Sequence, residues 1–110
     1  MRLYRGKKAL FNDVTVAASF KSRLLGLLGR DKIAPGFAMY FPGCNSIHTF
    51  FMKIPIDVIM TDDKGLVMRV YDRLEPWKTA FCGNAKNTME TGSGEAKRLG
   101  IRKGDRLVMR

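Results

Sequence analysis

A chain of 110 residues with 45% hydrophobic content has the composition of one folded domain, too short for two independent cores and too apolar for a disordered polypeptide. Twenty lysines and arginines against ten acids leave a net charge of +10, which attracts nucleic acid, anionic lipid or acidic protein before any specific contact forms. No apolar run reaches the ~20 residues of a membrane span, and the polar start Met1-Arg2-Leu3-Tyr4 lacks the apolar core of a secretion signal, so the cytoplasm is the default address.

Short β-type segments between turn residues dominate the chain. Residues 2–5 and 8–11 predict a hairpin around Gly6-Lys7, and 14–17 a third strand. Ser19 can cap a helix over 20–28, in which Phe20, Leu24, Leu27 and Leu28 share one face before Gly29 ends it. A strand over 37–41 lies between the turns Pro35-Gly36 and Pro42-Gly43. Strands over 47–53 and 56–61 are separated by Pro55, which has no N–H for a central ladder. Asp62-Asp63-Lys64-Gly65 predicts a hairpin turn with a return strand over 66–71. Residues 74–84 lack periodicity and are expected to form a loop past Pro76-Trp77. A strand over 88–91, a short helix over 94–99 and a last strand over 106–109 close the pattern. The expected fold is mainly β (α+β): a single domain over 1–110, a sandwich or barrel-like arrangement with one or two short helices.

Charge concentrates at the two ends, with eight cations against two acids in 1–32 and six cations against Asp105 in 97–110. The general reading of such a balance is a solvated surface; the sharper one is a nucleic-acid face, with Tyr71-Asp72-Arg73 and Pro76-Trp77-Lys78 interleaving aromatic and charged side chains. No recognition signature of a nucleic-acid-binding motif accompanies it.

The densest polar chemistry lies in 44–57. A thiol (Cys44), the only histidine (His48), two hydroxyls, Lys53 and Asp57 are embedded there among apolar residues. If 47–53 is extended, alternation places His48, Phe50 and Met52 on one face, inward, and Thr49, Phe51 and Lys53 on the other. Asp57 interrupts an apolar run and is expected to be buried with a partner, because an unpaired buried charge costs several kcal/mol. Cys44 and Cys82 belong to no CxxC pair; two reduced thiols are the simplest assignment, and a single bridge needs an oxidising compartment.

The chain resembles the family DUF192, a domain of unknown function, in the subtype with a Cys-x-Ser-Ile-His-Thr segment. The matching pieces are Gly26-Leu27-Leu28-Gly29-Arg30, Gly36-Phe37-Ala38-Met39-Tyr40-Phe41, Met52-Lys53, Pro55-Ile56-Asp57-Val58-Ile59-Met60, Asp63-Lys64-Gly65, Met89-Glu90-Thr91-Gly92, Gly100-Ile101 and Gly104-Asp105. Many members carry Asn-Thr after the Met-Lys pair, where this chain runs on through Ile54. The resemblance implies a mainly β fold in which the 52–60 motif and the Glu90 strand lie close together. It implies no reaction.

Three functional readings follow. The leading one is a non-catalytic accessory domain binding a small polar or anionic ligand, or a protein partner, at a concave site lined by His48, Lys53, Asp57, Trp77 and Glu90. The second is an enzyme in which Cys44 is a nucleophile and His48 its base. The third is the nucleic-acid module. A zinc site from Cys44, His48 and Cys82 or Glu90 follows no known ligand spacing, so no metal or cofactor is expected. Glu90 is equally read as the partner of Lys53 or Arg30 in a structural ion pair.

Overall fold

The computed structural model describes residues 1–17, 27 and 29–110. In chain order these form β1 (Leu3–Arg5), β2 (Lys8–Phe11), β3 (Asp13–Val16), β4 (Phe37–Pro42), β5 (Ser46–His48) and β6 (Ile56–Thr61). There follow β7 (Val67–Leu74), β8 (Thr79–Phe81), β9 (Asn87–Gly92), α1 (Glu95–Arg98) and β10 (Val108–Met109). The fold is mainly β, as the turn-bounded segments predict. The helix predicted over 20–28, with its cap at Ser19, lies outside the described residues apart from Leu27.

A five-stranded sheet in the order β3-β4-β9-β6-β7 forms the middle of the molecule. Only β3 and β4 run parallel; every other pairing is antiparallel. Both faces of this sheet are covered, which explains why β6 is buried at all six positions rather than alternating. On one face Ala38, Ile59 and Met89 pack with Leu3, Leu10 and Phe11 of the β10-β1-β2 sheet and with Ala96 and Ile101. On the other, Phe37, Met39, Phe41, Ile56, Val58 and Met60 meet Met52, Ala80 and Ala85, with Ile47 at the margin. The β5-β8 ribbon thus lies over this second face, Ile47 and Ala80 being its inner residues.

Two acids fasten the elements around the first face. Asp57 is fully buried, and its carboxylate accepts N–H groups from Arg73 at 2.9 Å, Gly94 at 3.1 Å and Ala96 at 2.8 Å. It thereby caps α1 from another strand, supplying the oxygens that Gly94, at the helix start, lacks a side chain to provide. Asp105 accepts from Arg102 N–H and from Arg5, both at 3.0 Å, and these bonds hold its carboxyl below the usual aspartate range. The same Arg5 guanidinium donates to the carbonyls of Leu99 and Gly100, so β1 is tied to the end of α1.

The Asp62 turn forms as predicted. Its Oδ1 accepts from Lys64 N–H at 2.8 Å and Leu66 N–H at 2.9 Å, the Leu66 bond being the main cause of a lowered carboxyl pKa. Gly65 sits at φ 83°, and a β-carbon there would collide with the Leu107 carbonyl. Two strand expectations change. The segment 47–53 is extended only to His48 and then turns, and 74–84 contains β8 instead of being wholly loop.

Candidate functional site

The turn after β5 reverses the predicted facing of His48, Thr49 and Phe50, whereas Phe51, Met52 and Lys53 face as predicted. Thr49 and Met52 are buried, while His48, Phe50 and Phe51 face solvent. The cause is a set of bonds between residues far apart in sequence. The Thr49 hydroxyl donates to the Glu75 carbonyl at 2.6 Å and accepts from Lys78 N–H at 2.9 Å. Thr49 N–H donates to Lys78 O at 2.8 Å, and Thr49 O accepts from Trp77 N–H at 3.0 Å and Met52 N–H at 3.1 Å. One buried threonine therefore joins the 49–52 turn to the 75–78 turn. Sequence reasoning passed it over, because nothing in local periodicity marks a hydroxyl whose partners lie 26 and 29 positions away.

The joined turns raise an aromatic ledge. His48 stacks on Phe50 with centroids 4.7 Å apart and planes at 23°; Phe50 stacks on Trp77 at 5.7 Å and 25°; Phe51 meets Trp77 at 4.6 Å. Phe51 and Trp77 are 67% and 58% exposed, so the rings contact each other and water rather than a core. Both hold positive φ, 67° and 65°, a conformation that costs a non-glycine residue roughly 1–2 kcal/mol. Phe81 continues the aromatic surface. It stands opposite Ser46 in the ribbon, on the same outer face as His48 and Thr79, and is 57% exposed.

The ribbon's two edges differ. Thr49 N–H to Lys78 O and Cys82 N–H to Asn45 O bracket its ladder. Antiparallel alternation then turns the backbone groups of Ser46 and His48 away from β8. Among the described residues no strand pairs with that outer edge of β5. The outer edge of β8 is instead occupied: Phe81 N–H donates to the Tyr71 hydroxyl, while that hydroxyl and the Arg69 guanidinium both donate to Phe81 O, all at 3.0 Å.

The remaining candidates occupy separate places. Lys53 is exposed, 3.5 Å from Asp31. Asp57 lies beneath α1, on the opposite face of the sheet from Glu90. Cys44 donates its thiol hydrogen to Ser46 O at 3.0 Å, and His48 Nδ1 accepts from Phe50 N–H at 3.2 Å, so each is engaged with backbone and not with the other. Cys44 and Cys82 are both free thiols. Among the described residues, no three His, Cys, Asp or Glu side chains converge as metal ligands.

Glu90 points from β9 into the second core, between Met39 of β4 and Val58 of β6. It is 6% exposed, and burial among apolar side chains pushes its carboxyl up to about 7. Neither predicted cation reaches it: Lys53 is with Asp31, and Arg30 lies 4.7 Å over the ring of Phe37.

What these elements define is a small, mainly β domain with a five-stranded sheet covered on both faces and an aromatic ledge at one end. The chain belongs to the DUF192 family, described as an uncharacterized ACR, whose model matches residues 2–109. As the resemblance implies, the 52–60 motif and the Glu90 strand are neighbours, β6 and β9. Two solved structures are similar in fold. One, from Sinorhizobium meliloti 1021, is provisionally named a transcription regulator; it is 24% identical, with 86% of this chain and 79% of that one covered and a TM-score of 0.78. The other is a protein of unknown function from Novosphingobium aromaticivorans DSM 12444, 24% identical over 87% of this chain and 74% of that one, with a TM-score of 0.76. No curated protein matches the chain. Among the described residues no helix is long and apolar enough to cross a membrane.

Proposed function

We propose that this chain is a non-catalytic binding module that takes an extended segment of a partner protein along the outer edge of β5. Apolar side chains of that segment sit on the ledge of His48, Phe50, Phe51 and Trp77. The observation that carries the reading is the exposure of Phe51 and Trp77 in backbone conformations that non-glycine residues avoid. Strained positions persist where surrounding bonds over-determine them, and here those bonds converge on Thr49.

The outer edge of β5, met by no strand among the described residues and with only its Ser46 carbonyl bonded, to Cys44, supplies the second half of the reading. An extended segment satisfies free backbone groups by strand addition, and alternate side chains of the added strand then meet the adjoining surface. Basic character favours an acidic segment: the chain carries +10, and Lys53 and Lys78 are exposed beside the ledge. Of the candidate ligand residues, the proposal takes His48 and Trp77 as contacts and Lys53 as a neighbouring cation. Asp57 and Glu90 belong to the sheet beneath.

Selection from a displayed library of random peptides tests it. The expected result is enrichment of extended sequences mixing aromatic or aliphatic residues with acids, which lose at least tenfold in affinity against Trp77→Ala protein. Selected peptides that bind the variant equally would remove the ledge from the reading. Oligothymidylate bound with a steep salt dependence, and no peptide enriched, would replace it with single-stranded nucleic-acid binding.

A further inference from the structure

We infer a second binding site, in the groove between β7 and α1, for a small anionic amphiphile: a carboxylate or similar head on a short alkyl chain. The groove is open to solvent and has a volume of about 610 Å³, within the range of small-molecule sites. Its apolar surface comes from Met68 and Val70 of β7, Ala96 of α1 and Ile101 beyond it. Lys97, Arg102 and Lys103 stand at its rim.

The charge balance selects the head group. Asp72 is the only acid lining the groove, and its carboxylate is already 3.0 Å from the Lys97 ammonium. Among the described residues neither Arg102 nor Lys103 forms a side-chain ion pair; Arg102 shares the field of Asp105, whose carboxylate is bonded to Arg5, and the groove's own acid, Asp72, is taken by Lys97. The turn that carries Arg102 and Lys103 is fixed in advance. Arg102 N–H donates to Asp105, Asp105 N–H to Arg102 O at 3.0 Å, and Gly104 N–H to Val67 O at 2.9 Å. The backbone of this turn does not have to be ordered on binding, which leaves only the Arg102 and Lys103 side chains to be fixed by the head group.

The apolar surface selects the rest of the molecule. A bare inorganic anion would leave Met68, Val70 and Ile101 wet, and a neutral hydrocarbon would leave Arg102 and Lys103 unanswered. An alkyl carboxylate meets both. Its affinity should tighten with each methylene that enters, by about fourfold at full burial.

This site is independent of the ledge, and titration with sodium octanoate followed by amide chemical shifts reads the two separately. Shifts should be confined to residues 68–72 and 96–103, with hexanoate weaker than octanoate and octanol weaker still. Arg102→Gln with Lys103→Gln, both exposed positions, should weaken octanoate about tenfold and leave octanol unchanged. Octanol binding as tightly as octanoate, or octanoate indifferent to the double variant, would overturn it. So would shifts at the ledge alone, or attachment to phosphatidylglycerol vesicles with no response to octanoate.

Discussion

Glu90 and Asp57 are one position apart in register on neighbouring strands, yet they pose opposite electrostatic problems. Asp57 faces the α1 side and is answered by three backbone N–H groups. Glu90 faces Met39 and Val58 on the other side, and burial among apolar side chains raises its carboxyl from 4.5 to about 7. The sign of the consequence is fixed by that direction. Between pH 4.5 and about 7 the folded chain keeps a proton that the unfolded chain has released, so stability falls as pH rises through this window and is level above it. A shift of this size corresponds to a loss of roughly 3 kcal/mol. Urea unfolding at pH 5 and pH 8 should therefore show Glu90→Gln gaining about that much on wild type between the two conditions. Parallel pH profiles for the two proteins would mean that Glu90 titrates normally.

At the scale of elements, much of the sheet was legible because its residues carry period-two or continuous apolar patterns. The strand predicted at 56–61 is β6, residue for residue, and Asp62 with Gly65 specifies the turn that follows it. What local pattern could not convey was contact between distant segments. Ile47 to Lys53 reads as alternating, but Thr49 is drawn inward by Glu75 and Lys78, and the chain turns there instead of extending. β8 escapes notice because only Ala80 of its three residues packs inward, too little to register as alternation. The same bonds that defeat the reading create the ledge; His48, expected inward, and Trp77 are named from the sequence as site candidates, whereas Phe50, Phe51 and Thr49 are not. Glycine accepts the positive φ at 51 and 77 without strain. Phe51→Gly with Trp77→Gly should thus leave stability within about 1 kcal/mol of wild type, strain relief offsetting lost ring contacts, while abolishing binding of a selected peptide. A variant that loses the cooperative fold would instead make these rings structural.

Across the whole molecule, the structure divides its labour between the two faces of one sheet. The first face is fastened by polar bonds at its margins, from Asp57 to α1 and from Arg5 to Asp105, and the groove beside α1 opens among these fastenings. The second face carries the β5-β8 ribbon, with one edge closed by Tyr71 and Arg69 and the other, among the described residues, met by no strand, only its Ser46 carbonyl being bonded, to Cys44. That asymmetry is the centre of the functional account, because only an open edge beside an exposed apolar surface can accept an extended partner. Amide hydrogen exchange at Ser46 and His48, without and with a selected peptide, tests it most directly. Exchange there should be rapid in the free protein and slow by about tenfold or more on binding, with Ala80, already paired within the ribbon, little changed. Exchange at Ser46 and His48 that stays fast while the peptide is demonstrably bound would contradict strand addition at β5.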